Sequence, residues 1–239
     1  MIKVIVCGAL GRMGSCLIKN ILKEKDLELV CGIEKKDHPE LREEWNFQIS
    51  SDLMSVIKRT DCIVEFTNPK ATCEHLKVAA NNCKPCLIGT TGFTEGQLKE
   101  IRNAAKRIPV LLSPNMSVGV NLLFKLVSDA VKVLKGYDIE IIESHHRHKK
   151  DAPSGTAKNL ADIIKDIKGE KIPVSSIRAG DIVGDHTILF AGGGERIELT
   201  HRAHSRDSFA QGTIQAIRFV TEASAGLYNM FDVLFPNIK

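Results

Sequence analysis

The run Glu143-Ser-His-His-Arg-His-Lys-Lys-Asp-Ala-Pro-Ser-Gly-Thr-Ala157 holds the chain's densest set of side chains able to move a proton or grip an anion. It follows a predicted strand over Tyr137–Ile142 and leads into a predicted helix from Ser154, which puts His145, His146, His148, Arg147, Lys149 and Lys150 in one strand-to-helix loop. Histidine is the side chain best suited to proton transfer near neutral pH. A cluster this cationic repels itself unless an anion or solvent relieves it, so the loop predicts a site for an acidic small molecule. Downstream, Pro153 sits at the helix entrance, Ser154 is a good N-cap, and Gly155 lets a ligand approach the backbone. The N–H groups and dipole of that helix start favour a carboxylate or phosphate.

A second constellation lies at the N-terminus. Gly8-Ala-Leu-Gly-Arg-Met-Gly14 stands between a predicted strand and a predicted helix. This Gly-x-x-Gly-x-x-Gly spacing allows a tight turn and close approach of a pyrophosphate to the helix start, with Arg12 adding charge. Glu34 ends the second predicted strand about twenty residues beyond Gly14, where a dinucleotide fold places the acid that binds the adenosine ribose. Lys35 and Lys36 follow and suit a 2′-phosphate, whereas Glu34 favours the free hydroxyl, so use of both NADH and NADPH is expected. Phe66-Thr-Asn-Pro69 and Gly89-Thr-Thr-Gly92 also follow predicted strands, and their loops fall on the carboxyl edge of a parallel sheet, where they could line the nicotinamide side.

The elements that must position these residues alternate in the first half. Strands are predicted at Lys3–Cys7, Leu27–Ile33, Cys62–Phe66, Pro85–Ile88 and Val110–Leu112. Helices are predicted from Gly11 to about Lys25, with Met13, Leu17, Ile18, Ile21 and Leu22 on one face, and over Asp52–Lys58, Pro69–Asn82 and Thr94–Lys106. The stretch from Lys35 to Ser50 reads as loop. Repeated βα units imply a parallel sheet with helices on both faces. The pattern changes after Ser113-Pro-Asn-Met116: a long helix from Gly119, the strand before the basic loop, the Ser154–Lys168 helix, then strands at Val174–Arg178, His186–Phe190 and Arg196–Arg202. A helix from Arg206 to about Ala223 and a short tail end the chain. The fold class is therefore α/β: an N-terminal Rossmann-type parallel-sheet domain over residues 1–116, completed by 206–239, with a smaller α+β mixed-sheet substrate domain over 117–205.

The chain's 239 residues, 43% hydrophobic and 26% charged, describe a globular protein, and its net charge of +4 lacks the basic stripe of a nucleic-acid binder. No apolar run is long enough to span a bilayer, and Met1–Val6 enters a strand directly, so a cytoplasmic protein with no membrane partner is expected. The seven cysteines lie between Cys7 and Cys86, several at apolar strand positions, as reduced core thiols would. Cys83-Lys-Pro-Cys86 has redox spacing but precedes a strand rather than opening a helix.

Together, Gly8–Gly14, Gly89–Phe93, Ser113–Asn121 and Glu143–Ala157 resemble the dihydrodipicolinate reductase family of the diaminopimelate route to lysine. The resemblance implies NAD(P)H-dependent reduction of a cyclic imine dicarboxylate by a homotetramer assembled through the mixed sheets. It implies that His145 is the proton donor, that Lys149 stabilises the reacting substrate, and that His146, Ser154, Gly155 and Thr156 bind a substrate carboxylate. Gly89, Thr90 and Thr91 match positions near the nicotinamide, Asn115 and Met116 fall with the cofactor contacts, and Arg206 closes the site. Met116 departs from the family, where an aromatic often stands. Gly8, Gly11, Arg12, Met13, Gly14, Glu34, Lys35 and Phe66 complete the expected cofactor set.

Two other classes compete. A metal hydrolase would recruit His145, His146, His148, His201 or His204, but their spacing is loose and the adjacent lysines oppose a cation, so no metal site is expected. A non-catalytic NAD(P)-binding protein, or another small-acid dehydrogenase, would fit the first half but leave the His145–Lys149 constellation less well explained.

Overall fold

A computed structural model describes residues 1–42 and 44–236. In chain order the first half runs β1 (Ile2–Cys7), α1 (Arg12–Ile21), β2 (Leu27–Ile33), β3 (Ile49–Ser50), β4 (Cys62–Glu65), α2 (Pro69–Asn81), β5 (Cys86–Ile88), α3 (Glu95–Ala105) and β6 (Pro109–Leu112). Then come α4 (Val118–Val133), β7 (Asp138–His145), α5 (Gly155–Lys168), β8 (Val174–Arg178), β9 (Gly184–Ala191) and β10 (Arg196–Ala203). The chain closes with α6 (Asp207–Glu222), β11 (Gly226–Tyr228) and α7 (Met230–Leu234). It divides into two compact units, Met1–Met116 with Phe209–Lys239, and Ser117–Ser208.

The first unit is a seven-stranded sheet in the order β11-β6-β5-β4-β1-β2-β3. Every pairing is parallel, and the strand order reverses between β1 and β4, the switch point of a Rossmann-type sheet. Strand alternation splits the core in two. Val4 and Val6 face one layer with Leu17, Ile18 and Ile21 of α1 and Ile214, Ile217 and Val220 of α6. Ile5 and Cys7 face the other, with Leu76 and Ala79 of α2 and Ile101 of α3. Burying each such Ile, Leu or Val contributes roughly 1.5–3 kcal/mol, so both layers are needed to hold the carboxyl edge of the sheet rigid.

The second unit is a four-stranded mixed sheet, β10-β9-β7-β8. β7 pairs parallel with β8 and antiparallel with β9, and β9 pairs antiparallel with β10. Among the described residues no helix is long and apolar enough to cross a membrane.

The two-part α/β architecture follows the sequence pattern, with local departures. α1 stops at Ile21, so Leu22 is its C-cap and is 51% exposed rather than on the buried face. The stretch taken as loop contains β3, which extends the sheet through Gly32 and Ile33 of β2. The helix expected over Asp52–Lys58 is a turn and a short 3₁₀ segment at Ile57–Arg59, with Leu53, Val56 and Ile57 buried beneath it. The terminal tail is a strand: β11 pairs with β6, and Met230 just after it is fully buried. The return to the first unit falls at Phe209, the third residue of α6, rather than at Arg206, because Phe209, Ala210 and Ile214 are the residues that meet the apolar core.

Candidate active site

In the second unit, β7 buries every other residue: Ile139, Ile141, Glu143 and His145. Opposite them in the antiparallel register stand Phe190, Ile188 and His186 of β9, with Gly184 the next buried position along β9. The buried face is thus apolar at one end and ionisable at the other. His145 closes β7 instead of lying in the loop, because it pairs with Arg178 of β8. The loop proper begins at His146.

Glu143 is fully buried and holds several donors. Arg178 binds it through both ends of the guanidinium, Nη1 to Oε2 at 2.9 Å and Nη2 to Oε1 at 2.8 Å. The Ser154 N–H donates to Oε1 at 3.2 Å, and His145 Nδ1 bonds to Oε2. Burial alone would raise the Glu143 carboxyl, but hydrogen bonds from Arg178, Ser176 and His145 overcome it and bring it down to about 2. Burial lowers the pKa of His145, and the neighbouring Glu143 carboxylate works against that shift. The outcome is a histidine whose orientation is set by a buried carboxylate, the arrangement used to fix an acid–base imidazole.

His186 lies edge-on to His145, ring centres 5.2 Å apart, and its Nε2 bonds to Ser154 Oγ at 3.0 Å. It is pushed down to about 4, by burial first and then by the nearby His145. Backbone space matters beside His145: a Cβ on Gly184 would come within 2.9 Å of His145 Nε2. Lys149 pairs with Asp151 at 2.9 Å, and its N–H donates to the His146 carbonyl at 3.0 Å, which folds the loop into a turn. His146 is half-buried, and Gly155 is exposed at the start of α5 with Thr156 half-buried beside it.

Ser154 makes three bonds within the protein. It is 2% exposed, its Oγ caps α5 by accepting from the Ala157 N–H at 3.2 Å, and its own N–H is taken by Glu143. Glu143, Arg178 and His186 were not singled out in the sequence. For Glu143 a signal existed, since it stands two residues before His145 and strand alternation puts both on one face. Arg178 and His186 come from other strands, and only register brings them in.

In the first unit, Gly8 turns with φ +76°, and a Cβ there would sit 2.4 Å from the Phe66 carbonyl oxygen. A Cβ on Gly14 would lie 2.0 Å from the Gly8 carbonyl oxygen, so α1 can pack this close only with glycine. Gly11 is the N-cap of α1 and supplies no side-chain cap, whereas Asn68, Thr94, Ser117 and Ser154 cap α2, α3, α4 and α5. No acidic residue stands in the first turn of α1, and Arg12, its first residue, is exposed with Met13 half-buried behind it. That cradle fits a dinucleotide pyrophosphate. Glu34 leaves β2 beside it, Oε2 accepting from the Leu10 N–H at 3.2 Å and Oε1 from the Lys35 N–H at 2.9 Å. Lys35 is exposed and lies 3.7 Å from Asp37.

Phe66 is half-buried, and its ring covers Gly89 so closely that a Cβ there would meet it at 2.2 Å. Thr91 is exposed. Two residues expected at the cofactor are buried. Thr90 is 5% exposed, and its Oγ1 accepts from the Thr67 N–H at 3.1 Å and from Thr72 Oγ1 at 2.9 Å. Met116 is 2% exposed and belongs to the same apolar layer as Ala210 and Met230. Ser113 Oγ fixes the backbone before it by donating to the Asn115 carbonyl at 2.9 Å. Arg206 is exposed, just ahead of α6, and belongs to the second unit.

A switch-point glycine turn on a parallel sheet, joined in one chain to a mixed-sheet unit with a carboxylate-held histidine, defines a Rossmann-type oxidoreductase. Two family models cover the chain, "Dihydrodipicolinate reductase, N-terminus" over residues 2–116 and "Dihydrodipicolinate reductase, C-terminus" over residues 119–234. The chain belongs to the dihydrodipicolinate reductase family. It is 46% identical to the 4-hydroxy-tetrahydrodipicolinate reductase of Methanocaldococcus jannaschii, covering 99% of this chain and 98% of that one. It is 47% identical to the enzyme of the same name from Aquifex aeolicus over 98% of each. Among solved structures, the dipicolinate-bound dihydrodipicolinate reductase from Paenisporosarcina sp. TG-14 matches with TM-score 0.84 at 29% identity, over 97% of this chain and 98% of that one.

Proposed function

We propose that the chain reduces 4-hydroxy-tetrahydrodipicolinate to tetrahydrodipicolinate with NADH or NADPH, in the diaminopimelate route to lysine. The observation that carries this reading is the buried Arg178–Glu143–His145 chain of hydrogen bonds, in a chain whose curated relatives bear that enzyme's name. When bound, the reduced nicotinamide supplies a hydride. The chain's residues supply the rest. His145 has Nδ1 committed to Glu143, so Nε2 is left for the reacting ring; it takes up a proton from solvent, with the Glu143 carboxylate supporting the imidazolium, and passes that proton on to match the added hydride. Net uptake of one hydride and one proton, with loss of water, balances the reaction. Lys149, held by Asp151, sets a fixed positive charge beside the ring, which gains electron density as the hydride arrives. His146, Gly155 and Thr156 receive a substrate carboxylate at the start of α5, and Ser154 builds that start.

Gly8, Gly11, Arg12, Met13 and Gly14 hold the pyrophosphate, and Glu34 and Lys35 meet the adenosine ribose. Phe66, Gly89, Thr91 and Asn115 line the nicotinamide end, with Thr90 and Met116 supporting them from inside. The Glu34 carboxylate favours a free 2′-hydroxyl and Lys35 a 2′-phosphate, which supports use of both cofactors. The enzyme works in the cytoplasm as a homotetramer joined through the outer faces of the four-stranded sheets. Seven cysteines outside any disulfide suit a reducing compartment, and Ile177, 46% exposed on β8, suits a covered sheet face.

A coupled assay tests the reading. Pyruvate, aspartate semialdehyde and a dihydrodipicolinate synthase generate the substrate, and nicotinamide absorbance is followed with NADH and NADPH in parallel. Synthase-dependent oxidation is expected with both; none from folded protein that still binds a cofactor would sink it. His145→Ala and Lys149→Ala are each expected to lower kcat by roughly 10²- to 10⁴-fold, and near-normal turnover in both variants refutes their roles.

A further inference from the structure

We propose that Cys7, Glu65 and His75 of the first unit form a binding site for a thiophilic divalent cation such as Zn²⁺ or Co²⁺. Cys7 ends β1 and Glu65 ends β4, and the two are register partners in the parallel pair. His75 reaches them from α2. One ligand atom from each residue, the Cys7 sulfur, a Glu65 oxygen and a His75 ring nitrogen, lies within 4.8 Å of the other two. Tetrahedral zinc bound at about 2.0–2.3 Å needs its ligand atoms roughly 3.3–3.8 Å apart, so the nitrogen and oxygen, now 2.9 Å apart, open slightly while the widest separation closes by about 1 Å.

The two oxygens of Glu65 are already divided between two tasks. Oε1 bonds to His75 Nδ1 at 2.9 Å. Oε2 accepts from Thr67 Oγ1 at 3.0 Å and is 3.4 Å from Thr72 Oγ1. A cation seated against Oε1, Nδ1 and Sγ replaces the bonds that Glu65 makes with His75 and with the Cys7 thiol, and the two threonines remain as supports that orient the carboxylate. A sulfur, a nitrogen and an oxygen ligand select zinc or cobalt over magnesium or calcium and leave a fourth position for water.

Charge and access agree. Glu65 and Cys7 are fully buried, and the His75 side chain, 21% exposed, gives a route from solvent. The charged side chains acting on His75 are acidic, Glu65 and Glu74, whereas Lys149 and Arg178 act on His145 and oppose a cation there. On binding, the Cys7 S–H bond breaks, its proton passes to solvent and a metal–sulfur bond forms, with no change of oxidation state. The sequence pattern predicts no metal site because the three ligands come from separate elements with no shared motif. Cys7 and Glu65 directly precede Gly8 and Phe66, so occupancy ties α2 to the two loops of the cofactor cradle.

Cobalt titration of the untagged full-length protein tests the site. One equivalent is expected, with a thiolate-to-cobalt charge-transfer band that Zn²⁺ abolishes, and with a rise in Tm. Cys7→Ala should remove the band, and His75→Gln should weaken binding at least about tenfold. A folded wild type with no thiolate band overturns the proposal, as does an unchanged band in Cys7→Ala, which would report another cysteine such as exposed Cys83. Should Cys7→Ala not fold, His75→Gln decides alone: undiminished cobalt affinity in that variant overturns the site.

Discussion

Glu143 bonds Arg178, the Ser154 backbone and His145 at once, from a position with no solvent to share the load. Removing one partner of a buried ion pair costs more than the pair contributes, because the remaining charge stays buried without compensation. Arg178→Gln is therefore expected to lower unfolding stability by about 3–5 kcal/mol, read from urea denaturation. Arg178→Lys keeps the charge but loses the two-pronged geometry, and a smaller loss is expected. Equal stability in all three proteins would mean that Glu143 is not held as an ion in the folded chain. Neither Arg178 nor His186 announces itself in the sequence, where each is a polar residue at the end of a strand-like stretch. Histidines next to lysines are conspicuous by type; their orienting partners are conspicuous only once strands are paired.

At the scale of elements, Ser154 anchors the start of α5 to β7. Ser154 caps the helix at Ala157, donates its N–H to Glu143 and meets His186 through Oγ. Ser154→Ala should cost roughly 0.5–2 kcal/mol for the lost cap, with the fall in kcat/KM following from a displaced α5 start. A variant with wild-type stability and a raised KM alone would instead make Ser154 a direct substrate ligand. The elements themselves were largely legible. α2 and α3 announce themselves through Asn68-Pro69 and the Thr94–Gln97 capping box, and β1, β2 and β4 through short apolar runs before turn residues. What stayed hidden were elements too short for periodicity to register. β3 has two residues and β11 has three, and each exists only because a sheet edge is there to pair with. His145 reads as loop in the sequence for the same reason, since only pairing with Arg178 extends β7 that far.

For the molecule as a whole, the second unit's buried histidines set the response to acid. His186 is 4% exposed and is pushed down to about 4 from an ordinary 6.5, with His145, Glu143, His201 and Lys149 acting on it from the strands and loop around it. Burial lowers His145 and His201 in the same direction. A folded pKa below the unfolded one means that the unfolded chain takes up protons the folded chain refuses, so stability falls as pH drops from 6.5 toward 4. At ~1.4 kcal/mol per pH unit, His186 alone accounts for about 2.5 kcal/mol between pH 7 and pH 4.5. Glu143, held at about 2, adds its own loss only below its ordinary 4.5, as acid reaches that carboxylate in the unfolded chain first. His186→Gln keeps an amide able to bond Ser154 but cannot titrate. Urea unfolding of the wild type and this variant at the two pH values should therefore show a pH-dependent loss smaller by about 2.5 kcal/mol in the variant. Parallel losses in the two proteins would show that His186 is protonated in the folded chain and that the acid response arises elsewhere.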